Sequence, residues 1–96
     1  MAEHGYVYIL FNKYNGTLYT GVTSNLVKRI YEHKEKAADG FTGRYGIDKP
    51  GHYEIYDTII AAIEREKIIK GHSRKYKLAL INNANPEWRD LYGEIV

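Results

Sequence analysis

The stretch that decides the fold is residues 6–23, which read YVYILFNKYNGTLYTGVT. β-Branched and aromatic residues fill its two ends, over 6–11 and 17–23, and this composition is typical of strands. Asn15-Gly16 lies between them, and this dipeptide favours a tight hairpin because both central positions of its turn need a positive φ. The sequence therefore predicts a β-hairpin.

A two-residue turn at Asn15-Gly16 would also fix how the strands pair, with Leu10 opposite Gly21 and Tyr8 opposite Thr23. Because side chains alternate between the faces of a strand, one face would carry Tyr8, Leu10, Tyr19 and Gly21. The other face would carry the more apolar set, which we interpret as the core face: Val7, Ile9, Leu18, Thr20 and Val22. The two phenols on the first face either perform chemistry or form a cross-strand aromatic pair, which contributes roughly 0.2–1 kcal/mol.

The chain has 96 residues, the size of one domain, and we expect a single domain over 1–96. A hydrophobic fraction of 44% and a charged fraction of 27% are ordinary for a soluble globular domain and argue against disorder. No apolar run approaches the roughly 18 residues needed to span a bilayer, and the first residues lack the pattern of a secretory signal. These features predict a cytoplasmic protein.

Cysteine is absent, which excludes disulfides, thiol nucleophiles and thiolate zinc sites. Tyrosine is abundant, with ten residues against two phenylalanines and one tryptophan, which suggests that some hydroxyl groups are used. The net charge of +2 is too small to indicate a partner, but residues 65–77 carry six basic side chains against one carboxylate. That segment is compatible with phosphate contacts, although charge alone favours a solvated helix face.

Beyond the hairpin, the pattern predicts an α+β fold, with a small three-stranded antiparallel sheet flanked by helices. A first helix is expected from the capping residues 23–25 to about Ala37, followed by a long glycine-rich loop over 38–52. A short third strand is expected over 53–57. Three further helices are expected: one over 59–70 capped by Thr58, one from Ser73 to about Ile81, and one from Asn85-Pro86 through Trp88 and Leu91.

The first helix presents an arginine and a histidine beside its apolar stripe. At helical spacing, Leu26, Ile30, His33 and Ala37 fall on one stripe, and Arg29 borders it one turn before His33. Both polar side chains can therefore point toward the sheet. The alternative is a snorkelling arginine and a hydrogen-bonded histidine at the margin of the core.

Glu66 is the most informative residue of the helix over 59–70. It lies inside the apolar stripe formed by Ile59, Ala62, Ile63 and Ile69. Because burying a lone carboxylate is costly, such a group is paired or binds a metal. Lys70, one turn further on, would supply an ion pair. The other interpretation is a ligand of Mg²⁺, which often takes one carboxylate together with waters and substrate phosphate.

These segments together resemble a GIY-YIG nuclease domain of the small stand-alone bacterial group, which is similar to the N-terminal domain of an excision-repair nuclease. The two motifs that name the family read here as Tyr6-Val7-Tyr8 and Tyr19-Thr20-Gly21. The arginine helix, the metal-binding helix and the C-terminal motif of the group resemble residues 25–29, 65–71 and 85–91. The chain departs from the pattern at Tyr6, Thr20, His72 and residues 49–52, and none of these positions carries a reacting group.

The resemblance implies a divalent-metal-dependent endonuclease that hydrolyses DNA phosphodiester bonds in DNA repair or recombination. One Mg²⁺ or Mn²⁺ would be held by Glu66, and Arg29 would bind the phosphate oxygens. Tyr19 would act as the base, and Tyr8 would orient the attacking water or share the proton. His33 would accept a proton from Tyr19 or contact phosphate. Substrate binding along the DNA backbone would involve Lys70, Arg74 and Lys75.

Two other classes of function remain open on the residues alone. The chain could be a non-catalytic nucleic-acid-binding module that retains the nuclease fold, or, more remotely, a structural or interaction domain. A carboxylate facing phosphate repels it, so Glu66 beside Arg29 and Tyr19 favours the enzyme. The expected partners are therefore nucleic acid, taken to be DNA, and a protein that supplies specificity, with no membrane.

Overall fold

The computed structural model describes residues 4–35 and 40–96. Within them, a three-stranded antiparallel sheet in the order β2-β1-β3 is combined with helices. The strands are β1 (Gly5–Phe11), β2 (Leu18–Thr23) and β3 (Lys49–Tyr56). The helices are α1 (Leu26–Lys34), α2 (Gly40–Tyr45), α3 (Ile59–Gly71), α4 (Arg74–Ala84) and α5 (Tyr92–Ile95). The predicted α+β class and the three-stranded antiparallel sheet are confirmed.

Apolar side chains cover both faces of the sheet, and this corrects the prediction of a single core face. One cluster packs the sheet against α3 and α4: Val7, Ile9, Phe11, Ala62, Ile69, Ile81 and Trp88. A second cluster packs the opposite face against α1: Tyr8, Leu10, Leu26, Ile30 and Ile47. The sequence pattern suggested one core because the second face carries tyrosines, whose rings are apolar although their hydroxyls are not.

The hairpin pairs two residues out of the predicted register. Tyr8 lies opposite Gly21, and Leu10 lies opposite Tyr19. The connection is longer than two residues, because the last pair of the hairpin is Phe11 with Leu18. Within it, the Gly16 amide donates to the Lys13 carbonyl at 2.8 Å, and φ is positive (55°) at Asn15 but not at Gly16. A shift of two residues leaves every side chain on its predicted face.

The predicted helix caps are confirmed, whereas the predicted loop between α1 and β3 is not. The side chains of Asn25, Thr58 and Ser73 accept the backbone N–H bonds that cap α1, α3 and α4. The predicted loop over 38–52 instead contains α2, and β3 begins at Lys49 rather than at residue 53. The predicted end of the first helix at Ala37 lies outside the described residues.

The predicted final helix through Trp88 and Leu91 is wrong, because residues 86–91 are not helical and α5 begins only at Tyr92. Asn85 is buried, and its side chain bonds the Gly51 carbonyl and both the amide and the carbonyl of Arg89. Trp88 has a φ of 55°, which a right-handed helix does not permit. The segment therefore closes as a loop that seats Trp88 in the core.

In the described part of the chain, no helix combines the length and the apolar character needed to cross a membrane.

Gly21 allows the buried Tyr8 ring to cross β2. A Cβ atom placed at Gly21 would overlap the ring and hydroxyl of Tyr8, which is only 1% exposed. The Tyr8 ring packs beneath α1, and its hydroxyl is hydrogen-bonded to His33, so moving the ring would disturb both contacts.

We predict that Gly21→Ala lowers the free energy of unfolding by about 1–3 kcal/mol, as overpacking a filled core does. Gly93→Ala is the matched control, because a Cβ there meets nothing within 4 Å. Urea unfolding of the two variants measures the difference. Equal unfolding free energies would show that Tyr8 does not need the space above Gly21.

Candidate active site

A buried hydrogen-bonded chain lies beneath the hairpin face that carries the tyrosines. The hydroxyl of Tyr8 and Nε2 of His33 are 3.1 Å apart, and Nδ1 of His33 lies 3.1 Å from Oγ1 of Thr42. His33 is fully buried, and Thr42 is 1% exposed. The ring of Tyr19 packs edge-on against His33 at a centroid distance of 5.6 Å. Strand β1, helix α1 and helix α2 are thus joined through side chains below the surface.

Three other predicted site residues change the pKa of the Tyr8 phenol. Burial raises the pKa of Tyr8 to about 12, while the nearby Arg29 guanidinium lowers it and the charges of Tyr19 and Glu66 raise it further. The pKa of Arg29 is raised in turn, first by its hydrogen-bonding interaction with Tyr8. The structure therefore brings side chains from β1, β2, α1 and α3 into one electrostatic cluster.

Arg29 is a solvent-accessible member of this cluster. Its side chain is 35% exposed, and Nη1 lies 3.4 Å from Oε1 of Glu32, a distance typical of a weak pair. It borders a polar depression that Lys28 also lines. A guanidinium held at the edge of a depression can present its donor fork to an anion such as phosphate.

Glu66 lies at the margin of the core rather than deep inside it. Its side chain is 12% exposed and forms an ion pair with Nζ of Lys70 at 2.6 Å. Of the predicted apolar stripe, Ala62 and Ile69 are fully buried, whereas Ile63 is 36% exposed. The carboxylate is therefore paired with Lys70, and its charge raises the pKa of Tyr8.

The chemistry of the donor set limits how a metal could bind. The described residues contain no group of three or more His, Cys, Asp or Glu side chains that could hold an ion. A single carboxylate such as Glu66 still fits Mg²⁺, which keeps several waters and shares its coordination with substrate phosphate. The residues present therefore fit a hard cation that is completed by substrate, and they do not form a closed metal cage.

Two details of the sequence-based site need correction. His33 has no exposed surface, so in this structure it cannot contact phosphate, and its Nε2 faces the hydroxyl of Tyr8 while the Tyr19 ring packs against it edge-on. Tyr8, which we expected to orient the water or share the proton, is itself buried. Periodicity placed His33 on the apolar stripe of its helix and Tyr8 on the face opposite the predicted core, but it could not show that α1 covers that face.

The three basic residues expected along the DNA backbone have different environments. Lys75 is exposed, and Lys70 is paired with Glu66. Arg74 donates from Nη2 to the carbonyls of Asn15 and Gly16 at 2.8 and 2.7 Å, which ties the start of α4 to the tip of the hairpin. Part of the donor capacity of Arg74 is therefore used inside the protein.

A second polar network was not anticipated from the sequence. Glu54 accepts hydrogen bonds from Arg65 (2.9 and 3.2 Å), Tyr56 (2.7 Å) and His52 (2.8 Å), and Arg65 also donates to the Tyr76 hydroxyl at 3.0 Å. Burial alone would raise the pKa of Glu54, but these donors together hold it well below its usual range. The alternation of polar residues along β3 was the available signal. The network fixes α3, which carries Glu66, to β3 and α4.

A known family matches most of the chain. The model of the family described as the GIY-YIG catalytic domain matches residues 4–79. The chain therefore belongs to the GIY-YIG family, which is a family of nucleases.

Relatives of similar size carry a shared name that states no activity. The chain is 40% identical over 90 residues to a UPF0213 protein of Syntrophus aciditrophicus, covering 85% of this chain and 93% of that protein. It is 39% identical to a UPF0213 protein of Natronomonas pharaonis and 37% identical to one of Staphylococcus saprophyticus, covering 84% and 85% of this chain and 94% and 98% of those proteins. No solved structure matches the chain.

We predict that Tyr8 makes stability depend on pH in the alkaline range. Its folded-state pKa is raised from 10.0 to about 12, so its stabilisation is fully present below pH 10 and is lost as the pH rises through 12. The loss over this window should be about 2–3 kcal/mol. Urea unfolding across the window should show this slope in the wild type and in Tyr31→Phe, whose ring is exposed, and should show it reduced in Tyr8→Phe. Identical slopes in all three proteins would contradict the assignment.

Proposed function

We propose that the protein is a divalent-metal-dependent endonuclease that hydrolyses phosphodiester bonds of DNA, in repair or recombination, in the cytoplasm. The observation that carries the proposal is the match of residues 4–79 to the GIY-YIG catalytic domain, within which Arg29, Tyr19 and Glu66 all act electrostatically on the buried phenol of Tyr8. These groups come from separate elements, so their meeting is a product of the tertiary fold. A guanidinium, two phenols and a carboxylate are the kinds of groups that phosphodiester hydrolysis around a hard cation uses.

Arg29 would bind the scissile phosphate, and Glu66 would bind the cation. Arg29 presents a planar donor fork to the non-bridging oxygens of the scissile phosphate. Glu66 would hold one Mg²⁺ or Mn²⁺, which supplies positive charge to the phosphate and to the leaving oxygen when bound. Lys70 lies against the same carboxylate, so its ammonium group would turn toward the phosphate backbone when the carboxylate is engaged.

The two tyrosines would have different roles, one as a hydrogen-bond donor and the other as a base. With a pKa of about 12, Tyr8 is a neutral phenol at physiological pH and serves as a hydrogen-bond donor rather than as a base. His33, anchored by Thr42, fixes the position of the Tyr8 hydroxyl. Tyr19 is more exposed than Tyr8 and is the proposed base.

Affinity for DNA would come from the basic segment at the end of α3 and the start of α4. Lys70, Lys75 and the unused donors of Arg74 would contact backbone phosphates, so binding should weaken as salt rises. These contacts carry no sequence information. A protein partner is the proposed source of further specificity.

We predict that Glu66→Ala abolishes Mn²⁺-dependent cleavage of a labelled panel of duplex, single-stranded, flap, branched DNA and RNA. The loss should reach at least the roughly 10–100-fold cost of removing a residue that supports a bound metal. Glu64→Ala is the matched control, because Glu64 is an exposed carboxylate on the same helix. Equal cleavage by the wild type and Glu66→Ala would reject the assignment.

One observation favours the alternative, a binding module that retains the nuclease fold without catalysis. The 2.6 Å ion pair with Lys70 already neutralises Glu66 without any metal. A module of this kind would bind the panel with a salt-dependent affinity, cleave no member of it, and bind equally well with and without Mn²⁺.

A further inference from the structure

Two depressions of different character flank the N-terminal end of α1. The first is polar, and Lys28, Arg29 and Glu32 line it from α1. The second is largely apolar, has a volume of about 420 Å³, and lies between α1, β1, β3 and α5. Ser24 and Asn25, which directly precede α1, line both depressions. The two therefore form one continuous surface around the start of the helix.

Aromatic and aliphatic side chains from the sheet build the apolar depression. Tyr6 on β1 pairs with Ile55 on β3, and Tyr53 is the next residue of β3 on the same face. The Tyr53 hydroxyl donates to Glu94 at 3.1 Å, which holds its ring in place. Ile55 is 58% exposed, and Val27, on the opposite wall, is 39% exposed. The volume lies in the range of small-ligand sites, which are mostly apolar with a few polar groups.

Charge separates the two halves of this surface. The described residues that line the apolar half include no Asp, Glu, Lys or Arg, whereas the polar half has two cations against one carboxylate. A nucleotide has the same division, with an anionic phosphate joined to a neutral aromatic base. Bases stack on aromatic side chains without regard to sequence, because every base has a π face.

We propose that the apolar depression binds an unstacked base of a DNA strand, and that Lys28 and Arg29 bind a phosphate of the same nucleotide. This inference rests on the proposed function, since it places the base beside the arginine assigned to the scissile phosphate. A base inside a continuous duplex is stacked and paired, so it reaches a pocket only after extrusion or in a single strand. The substrate class is therefore DNA with an unpaired nucleotide at the point of cleavage.

The test compares two hexanucleotides in EDTA, where no cleavage can occur: oligothymidylate, and a strand with the same phosphates but abasic at every position. The wild type should bind oligothymidylate ~10-fold more tightly. The NMR signals of the Val27 and Ile55 methyl groups should shift with oligothymidylate and not with the abasic strand.

Tyr53→Leu should remove the preference for oligothymidylate, while Tyr53→Phe, which keeps the ring, should retain it. Tyr31→Leu, a change of an exposed tyrosine outside the depression, should also retain it.

The results distinguish a failure of the base pocket from a failure of the proposed function. Equal binding of both strands with unshifted Val27 and Ile55 methyl signals would overturn the base pocket and leave the proposed function standing. Binding of neither strand would overturn both. The wild-type comparison needs no variant, so it decides the question even if Tyr53→Leu fails to fold.

Discussion

The packing of the Tyr8 ring over Gly21, with its hydroxyl on His33, is the contact on which the rest of the site depends. Strand pairing alone places Tyr8 opposite Gly21, and the absence of a side chain there lets the ring cross β2. His33 then joins this phenol to α1, and Thr42 joins the histidine to α2. Arg29 lies one turn before His33 on the same helix. A single buried phenol thus sets the position of α1, and through it the position of the arginine.

The electrostatic consequence of this arrangement is a division between the two tyrosines. Burial keeps the Tyr8 phenol neutral, with a pKa of about 12, although Arg29 opposes this effect. Tyr19 occupies the more accessible position on the hairpin. Glu66 approaches from α3, whose orientation the Glu54–Arg65 contact fixes against β3. Burial, rather than residue type, therefore distinguishes the proposed hydrogen-bond donor from the proposed base.

The strands and the helix caps could be predicted from the sequence, because they depend on local chemistry and on periodicity. The register of the hairpin could not be predicted, since the turn at residues 13–16 is closed by a backbone hydrogen bond from Gly16 to Lys13 that the Asn15-Gly16 signal does not specify. The loop at 86–91 could not be predicted either, because Asn85 bonds Gly51, a contact between residues far apart in the sequence. The burial of His33 depends in the same way on α2, which the glycine-rich composition of 38–52 concealed.

The central claim is that Glu66 holds a divalent cation beside Tyr8, Tyr19 and Arg29. The most direct test is paramagnetic broadening of NMR signals by Mn²⁺, in the wild type and in Glu66→Gln. The account predicts selective broadening of the signals of Tyr8, Tyr19, Arg29 and Glu66 in the wild type, and its loss in the variant. Broadening that is absent, or that persists unchanged in Glu66→Gln, would contradict it.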